Sequence, residues 1–579
     1  MDPITTDGIL DKIGSFGRYQ IRLLMIMGFM KIFGDGFMAM ITTFLAAEPP
    51  WTCVTNSSSC NITGNILPGH ENYNLRCSLN RSEWEFNTAE FSSIVSEWDL
   101  VCDRSSLSSL SKSVVFAGYM VGVLFGGMLS DKFGRKPMVY FPSVLCNVLA
   151  LIASFVDAFW IFTLLRALIG VCIGSSSLSM FVLLVEYVGV KHRALAGTCM
   201  WYFWTLSLML LALLGYLFRD WRTLSIAGAA PGLLQIFFWW RVSSFDWSRV
   251  RFPVTPHPCF DFFPFRVALI SFEYRFLPES SRWLIVRGNA SQATTNLSKV
   301  ARFNRKEMPA NPVAVMDEKQ RVGDVRDLFR SFKMARITLL SWLCWAVISM
   351  IYYGVSFGSG SFGGNRYLVF FLVSIVEIPS HFFSVILMNK IGRKKSVFVG
   401  LMIASFASIG AVLLQRDFSQ TGFLVGRIIM AMIAKFFINL AFDVIYIYSA
   451  ELFPTVIRNV GMGTSSAAAR IGSISAPFII WLVRIHVMLP YSIFAISAFI
   501  AGVLCLTLPE TMNAPTKDTF DKQLPTEQED GRQSMPGYIN STDRSMEQLW
   551  APIVSVVVSN LVMEDLESRL IATYPSPPS

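Results

Sequence analysis

GGMLSDKFGRK (126–136) and LMNKIGRKK (387–395) are two copies of one short pattern, in which an apolar run ends at a Gly-Arg-Lys turn. A second pattern follows in each half of the chain, as EYVGVKHR (186–193) and AELFPTVIRN (450–459). Both copies of this second pattern place a glutamate seven residues before an arginine. The same two patterns in the same order indicate that the chain consists of two repeated halves.

The apolar runs around these patterns have the length of membrane spans. The chain has 579 residues, of which 53% are hydrophobic and 15% are charged, whereas soluble domains carry about 25% charged residues. The apolar residues come in blocks of about 20, enough to cross a hydrocarbon core of about 30 Å. The net charge of +9 does not indicate a nucleic-acid partner, because the basic residues lie in short loops where membrane topology explains them. The sequence therefore predicts a protein that is embedded in a lipid bilayer.

We predict twelve spans, and all of them should be α-helical because a spanning segment must satisfy its own backbone hydrogen bonds. A β-barrel would show alternating segments of about ten residues, which these long continuous runs do not resemble. The predicted spans are 21–47, 113–130, 138–156, 159–187, 194–218, 221–240, 336–357, 366–388, 396–414, 421–449, 460–483 and 487–508. They predict an all-α membrane protein of two six-helix pseudo-repeats. Many secondary transporters have this architecture, with the solute bound between the halves.

The segments between the spans give the predicted organisation. These segments and halves are a cytoplasmic N-terminus (1–20), an N-terminal half (21–240) with a large extracellular loop (48–112), a central cytoplasmic loop (241–335), a C-terminal half (336–510) and a cytoplasmic tail (511–579). The tail is rich in Pro, Ser, Thr and acidic residues and should be largely disordered. An even number of spans places both termini on one side, and the basic loops identify that side as the cytoplasm.

The loop after the first span carries the features of an extracellular segment. Residues 48–107 contain eight acidic and three basic residues. Cysteines and N-glycosylation sequons in one loop indicate the oxidising side of a membrane. The cysteines are Cys53, Cys60, Cys77 and Cys102, and the sequons begin at Asn56, Asn61 and Asn80. We expect two disulfides, but four cysteines allow three pairings and the sequence does not choose among them.

The repeated charges at the cytoplasmic helix ends predict a latch. The charges of the first half can pair across helix ends when a central cavity faces outward and separate when it faces inward. Contacts with two discrete arrangements suit halves that rock against each other. The alternative is a direct role of these charges in solute or ion coupling. The predicted latch comprises Asp131, Gly134, Arg135, Glu186 and Arg193 in the first half, and Gly392, Arg393, Glu451 and Arg458 in the second.

Several motifs together resemble a known family. GGMLSDKFGRK resembles the signature of the major facilitator superfamily. The other motifs resemble the organic cation/carnitine transporter family, solute carrier family 22. They are EWDLVCD (97–103), RDWRTL (219–224), LPESSRWL (277–284), YYGVSFGSGSFGGN (352–365), VEIP (376–379), AELFPTVIRNVGMG (450–463) and LPET (508–511). The resemblance covers about 7–240 and 275–516, and it implies a plasma-membrane facilitator with a central cavity for organic cations, zwitterions or anions.

One stretch departs from this family. Residues 241–274 separate the sixth predicted span from the LPESSRWL motif, whereas family members join the two almost directly. The stretch is rich in Phe, Pro and Arg and lacks an apolar run of span length. We interpret it as a retained intron in the gene model, and the alternative is a true cytoplasmic extension. A transcript that encodes the whole stretch would exclude the first interpretation.

Ionisable residues inside the spans are the candidate substrate-binding groups, because a charge within a bilayer is costly and needs a reason. They are Lys31, Asp35, Glu377, Lys435, Asp443 and Arg470. Lys31 and Asp35 are one helical turn apart and can pair with each other. Asp443 either balances Lys435 or adds a second contact to a cation.

The family resemblance assigns two of these residues to the substrate. The carboxylate of the VEIP motif lies near the substrate in the family, so Glu377 should face the cavity and attract a cationic group. At the position of Arg470, cation-selective members carry an acid, whereas carnitine and anion transporters carry Arg. A guanidinium binds a carboxylate through two parallel hydrogen bonds, so Arg470 indicates a substrate with a carboxylate. The alternative is an ion pair of Arg470 with Asp443 or Glu377.

Aromatic residues in the fifth and seventh spans complete the candidate site. Tyr and Trp faces bind quaternary ammonium groups, although aromatic residues also serve as packing and interface anchors in membrane helices. Tyr352 matches a cavity position of the family, and Trp345 and Tyr202 are further candidates.

These features predict a plasma-membrane secondary transporter that works by alternating access. A zwitterion such as carnitine or a betaine ranks first, simple organic cations rank second, and organic anions rank third because Glu377 would repel them. A membrane receptor with a transporter fold is the alternative from another class. The sequence shows no metal-ligand cluster, nucleophile elbow or Walker motif, so we expect neither an enzyme nor a cofactor. Coupling to sodium or to protons stays open at this point.

Overall fold

The computed structural model describes residues 6–512, except for 55–59, 61, 63, 67–70, 190–191, 242–276, 310–323, 362, 415–420 and 455–456. All of these residues belong to one compact unit, 1–520. The predicted insertion at 241–274 beyond its first residue, the tail after residue 512, and the sequons at Asn56 and Asn61 lie outside the described residues.

A helix occupies the position of every predicted span. In chain order they are α1 (Arg18–Leu45), α2 (Ser105–Phe133), α3 (Arg135–Ala153), α4 (Phe159–Tyr187), α5 (Arg193–Leu217), α6 (Trp221–Arg241), α7 (Phe332–Gly358), α8 (Arg366–Ile391), α9 (Arg393–Leu413), α10 (Thr421–Leu452), α11 (Arg458–Trp481) and α12 (Leu489–Cys505). Within the described residues, ten helices are long and apolar enough to cross a membrane. The other two are α6 and the 17-residue α12. The prediction of membrane-crossing helices is therefore confirmed, and the count of twelve crossings stays a prediction.

Two pairs of helices join the halves, and the internal repeat relates one pair to the other. Helix α2 packs against α11, and α5 packs against α8. Because the repeat maps α2 onto α8 and α5 onto α11, these contacts are equivalent. Within the first half α2 lies close to α4, where a Cβ on Gly118 would come within 2.0 Å of the carbonyl oxygen of Ala167. Small residues allow such close approach of membrane helices.

Helix α2 begins at Ser105, about two turns earlier than the hydropathy of the sequence predicts. The extra turns are polar, but their serines have partners on α11. Ser109 donates to the carbonyl oxygen of Pro477 at 3.1 Å, and Ser113 donates to that of Ile474 at 2.7 Å. Serines that hydrogen-bond across a helix interface are stable at membrane depth, so hydropathy alone underestimates the length of this helix.

Two helices are irregular next to candidate binding residues. Helix α1 contains a π-helical turn over Lys31–Gly36, which includes Asp35. Helix α8 is interrupted at Val376, between Arg366–Ile375 and Glu377–Ile391. The physical cause in α8 is Pro379, because proline lacks the N–H that would bond to the carbonyl of the residue four positions earlier. Such irregular turns often accompany functional sites.

The segment between α1 and α2 is a small domain on one face of the molecule. Strand β1 (Trp51–Cys53) pairs antiparallel with β2 (Trp84–Phe86), with Thr52 opposite Glu85. Disulfides join Cys53 to Cys60 and Cys77 to Cys102. This selects one of the three pairings that the sequence left open. We call this side of the molecule the loop face, and the side with the Gly-Arg-Lys turns at 134–136 and 392–394 the turn face.

The loop face also holds the two halves together. Glu48, just after α1, accepts hydrogen bonds from Arg76 of the loop domain at 2.6 Å and from Arg484, after α11, at 2.8 Å. Arg366 at the start of α8 lies 3.8 Å from the ring centroid of Phe91. The loop domain therefore contacts both halves in this conformation.

Candidate functional site

Glu377 lies at the middle of the helix bundle and is fully buried. Its Oε1 accepts a hydrogen bond from the Tyr352 hydroxyl at 2.8 Å and lies 3.1 Å from Lys435 Nζ. Its Oε2 accepts a hydrogen bond from the Thr205 hydroxyl at 2.9 Å. The sequence offered no nearby group that would neutralise Glu377, and the structure supplies one from α10. Lys435 therefore offsets the negative charge that was expected to repel an organic anion, and the ranking of substrates stays a prediction.

Lys435 forms its ion pair with Glu377 and not with Asp443. Its ammonium donates to the Tyr352 carbonyl at 3.1 Å and to Ser356 Oγ at 2.6 Å. Lys435 and Asp443 are both on α10, but they are separated by eight residues, which is about 12 Å along a helix axis. Of the two alternatives given for Asp443, the balance with Lys435 is therefore wrong for geometric reasons.

Asp443 pairs with His381, a residue that the sequence analysis missed. His381 Nδ1 lies 2.8 Å from Asp443 Oδ2, and His381 Nε2 lies 3.4 Å from the Thr205 hydroxyl. Tyr202 packs against this imidazole, with ring centroids 5.2 Å apart. The available signal was a histidine four residues after Glu377 within a span, because an ionisable group at that depth is unusual.

The self-pair predicted for Lys31 and Asp35 is confirmed. Lys31 Nζ lies 3.2 Å from Asp35 Oδ2, and both side chains are buried. Two serines of α4 complete the pair, because Ser177 accepts a bond from Lys31 and Ser176 donates a bond to Asp35. The Lys31 ammonium also lies 5.5 Å from the ring centroid of Trp201.

Arg470 is buried among tyrosines and forms neither of the two ion pairs that were considered for it. Its guanidinium carbon lies 3.8 Å from the ring centroid of Tyr119, and its Nη1 donates to the Tyr353 hydroxyl at 3.4 Å. Its Nε is buried without a hydrogen-bond partner among the described residues. Asp443 pairs with His381 and Glu377 pairs with Lys435, so neither acid takes up the hydrogen-bond donors of the Arg470 guanidinium.

Aromatic rings lie next to these charges. We define the aromatic cluster as Trp201, Trp345, Tyr352, Phe442 and Tyr446. Ring centroids are 4.3 Å apart for Trp345 and Tyr446 and 5.6 Å apart for Tyr352 and Phe442. Trp201 comes from the first half and the other members come from the second, so the cluster crosses between the halves. Tyr202 is outside it, beside the imidazole of His381.

The predicted latch of the first half is assembled at the turn face. Arg135 lies 2.6 Å from Asp131 and 3.5 Å from Glu186. Arg193 binds Asp7 at 2.6 Å and not Glu186. Asp7 belongs to a short helix, Thr6–Ile13, within the segment that the sequence analysis predicted as the cytoplasmic N-terminus. The observed pairs join residues of the first half to one another and to the N-terminal segment, and their rearrangement during transport stays a prediction.

The second half repeats the arrangement with fewer acids. Arg393 contacts Glu451 through Nε and Nη2, both at 3.1 Å. Glu451 also accepts a hydrogen bond from the Thr511 hydroxyl at 2.6 Å. Arg458 begins α11 at the same face.

Two further acids at the turn face were missed by the sequence analysis. Glu279 accepts the backbone N–H of Arg135 at 2.8 Å, and Glu510 accepts that of Arg393 at 2.8 Å. Burial raises the pKa of Glu279. The available signal was the Leu-Pro-Glu sequence that recurs at 277–279 and 508–510. The internal repeat thus extends to the carboxylates that cap α3 and α9.

Each capped helix begins after a glycine with positive φ, and this geometry makes a stability prediction. Gly134 has φ +105°, and a Cβ on it would come within 2.3 Å of the Glu279 carboxylate. We expect Gly134→Ala to destabilise the protein by about 1–3 kcal/mol, because a non-glycine residue is strained in this conformation. Thermal unfolding of the detergent-purified chain measures the change. Gly463→Ala is the matched control, because Gly463 is helical and none of the described residues comes within 4 Å of its Cβ position. Equal melting temperatures for the two variants would contradict the prediction.

Comparison with known proteins connects this geometry to a family. The sugar (and other) transporter family model matches residues 23–247 and 258–519. An organic cation transporter protein of Drosophila melanogaster is 31% identical over 582 residues, which cover 92% of this chain and 99% of the relative. Organic cation/carnitine transporter 2 of Homo sapiens is 28% identical over 564 residues, with 90% and 94% covered.

A solved structure shows the same fold. The major facilitator superfamily proton:xylose symporter XylE of E. coli superposes with a TM-score of 0.55 at 15% identity. The superposition covers 85% of this chain and 96% of the symporter. The predicted major facilitator fold is confirmed.

Proposed function

This chain belongs to the organic cation/carnitine transporter family of the major facilitator superfamily, and we propose that it transports small zwitterions that carry a quaternary ammonium and a carboxylate. It is a membrane transporter and not an enzyme. Carnitine and betaines have the proposed chemistry. Transport would proceed by alternating access, with the solute bound between the two halves.

The observation that carries this proposal concerns Arg470. No acid of the described core forms an ion pair with this residue. Lys31 pairs with Asp35, and Lys435 pairs with Glu377. The remaining acid, Asp443, pairs with His381. Arg470 contacts only neutral phenols and rings through its described contacts, and its Nε has no partner there. A substrate carboxylate would satisfy this guanidinium with two charge-assisted hydrogen bonds.

The aromatic cluster supports the other part of the proposal, which is that the substrate carries a quaternary ammonium. Tyr353, which accepts a hydrogen bond from Arg470, packs against the Tyr352 ring of the cluster, with ring centroids 5.1 Å apart. Quaternary ammonium groups bind to the faces of Trp and Tyr rings, and this attraction strengthens when the site is desolvated. A zwitterion could therefore place its carboxylate on Arg470 and its ammonium among these rings.

One observation favours a second candidate substrate class, the organic anions. Lys435 neutralises Glu377, so the core does not present an unpaired negative charge at that position. An anion with an apolar body could then use Arg470 and the aromatic cluster without repulsion.

We further propose that the protein lies in the plasma membrane with both termini in the cytoplasm and the loop face outside. Support comes from the two disulfides of the loop domain, because disulfides persist on the oxidising side of a membrane. Glycosylation at Asn56, Asn61 and Asn80 remains part of this proposal. Coupling of this transport to sodium or to protons remains an open part of the proposal.

Uptake into cells that express the chain tests the substrate class. We expect labelled carnitine to accumulate at least about tenfold above uptake by cells without the chain. Tetraethylammonium, which has no carboxylate, should accumulate less.

Para-aminohippurate, which has a carboxylate and no cationic group, tests the organic anion alternative. Repeating the carnitine assay without sodium tests sodium coupling. Uptake of tetraethylammonium alone would overturn the proposal, since a simple cation makes no use of Arg470.

A further inference from the structure

His381 and Asp443 form a buried pair that the substrate proposal does not use. Only 1% of the His381 side chain and 11% of the Asp443 side chain are exposed. The pair lies one helical turn from Glu377 toward the turn face, because His381 follows Glu377 by four residues on α8. The positions of the hydrogen atoms in this pair can be deduced from its neighbours.

Thr205 determines the protonation of one imidazole nitrogen. Its hydroxyl has one hydrogen and two acceptors within reach, Glu377 Oε2 at 2.9 Å and the Trp201 carbonyl at 3.3 Å, and with either acceptor the hydrogen points away from His381. The Thr205 oxygen can then face His381 Nε2, at 3.4 Å, only as an acceptor. His381 Nε2 therefore carries a hydrogen.

The other imidazole nitrogen faces an acid. His381 Nδ1 lies 2.8 Å from Asp443 Oδ2, so one proton must lie between these atoms, since two lone pairs at that distance would repel. The pair thus holds one proton more than a neutral imidazole and a carboxylate do together. Its net charge is zero with this proton and −1 without it, and a buried uncompensated charge is strongly unfavourable.

No other cation among the described residues can take the place of this proton. Lys435 is bound to Glu377, and Asn439, whose Nδ2 lies 3.4 Å from His381 Nδ1, is neutral and bonds to Ser380. The titratable groups that surround the pair are Glu377 on α8, Tyr202 on α5, Lys435 and Tyr446 on α10, and Tyr352 on α7. At neutral pH the tyrosines are uncharged, and Glu377 and Lys435 cancel each other.

We propose that His381 and Asp443 bind the coupling proton of this transporter, one proton for each transport cycle. The inference rests on the proposed transport function and assigns its coupling ion. Thr205 belongs to the first half, and both His381 and Glu377 belong to the second half. When the halves rock, Thr205 withdraws from His381 and water reaches the pair. The imidazolium–carboxylate pair then becomes imidazole, carboxylate and a proton in water.

Proteoliposomes with a trapped pH indicator test the inference directly. The purified full chain is given a carnitine gradient, and proton movement and carnitine movement are measured together. We expect about one proton for each carnitine in the wild type, and a ratio lowered at least about tenfold in His381→Gln and in Asp443→Asn. The matched control is His486→Gln, because His486 is exposed outside the spans and should leave the ratio unchanged.

Carnitine counterflow, the exchange of labelled for unlabelled carnitine at equal pH, separates this inference from the proposed function. Counterflow in the wild type without any proton movement would overturn the proton site and leave the transport function in place. Absence of counterflow would count against the proposed function itself. If both core variants are inactive, the wild-type ratio and its dependence on an imposed pH gradient still decide the matter. An unchanged ratio in active variants would also overturn the inference.

Discussion

Arg470→Gln is expected to lower carnitine uptake by at least about 30-fold and to change tetraethylammonium uptake much less. Removing one member of a buried, hydrogen-bonded charge pair typically weakens binding by about 2–5 kcal/mol, which corresponds to roughly 30-fold or more. The effect should be specific to substrates with a carboxylate, because Arg470 is held by Tyr119 and Tyr353 and not by an acid of the described core. Initial rates of uptake at matched surface expression measure it.

Two further variants make this prediction sharper. Arg470→Lys keeps the charge but loses the planar pair of donors, so carnitine uptake should fall to an intermediate level. Arg326→Gln is the control, because 95% of the Arg326 side chain is exposed in the central loop. If Arg470→Gln reached the surface normally and kept the wild-type ratio of carnitine to tetraethylammonium uptake, Arg470 would not be a substrate ligand.

The helices were predictable from sequence because the bilayer imposes a length and a composition on every span. The departures from the prediction have local causes. The serines that extend α2 are polar in sequence and become stable only through their bonds to α11. The break in α8 follows from Pro379, but the partners of Glu377 at this break depend on where the neighbouring helices lie.

The candidate site was only partly predictable, because composition identifies the charges within spans but not their partners. Glu377 and Lys435 are far apart in sequence and meet through the packing of α8 against α10. The same packing brings His381 to Asp443 and leaves Arg470 among tyrosines. The internal repeat predicted the charges of the turn face, yet the helix caps Glu279 and Glu510 required the structure.

The second large effect is expected from the Lys435–Glu377 pair. Lys435→Met should destabilise the protein by about 3–5 kcal/mol, because it leaves Glu377 as an uncompensated charge in a fully buried position. We expect a lower melting temperature in detergent and a marked loss of protein at the cell surface. Lys333→Met is the matched control, since Lys333 is exposed at the start of α7 and should change neither measurement.

The double variant Lys435→Met, Glu377→Gln distinguishes a supporting pair from a substrate-binding charge. Removing both charges leaves a neutral amide, whose oxygen can accept the hydrogen bond from one of the Tyr352 and Thr205 hydroxyls and whose NH2 can donate to the oxygen of the other. Most of the lost stability should therefore return, because replacing a whole buried ion pair by neutral groups is often neutral, whereas breaking one is not. Additive destabilisation in this double-mutant cycle would contradict the pairing. If the recovered double variant also transports carnitine, Glu377 supports the site and Arg470 selects the substrate. If the double variant folds but transports tetraethylammonium and carnitine equally poorly, Glu377 contacts the ammonium group of the substrate.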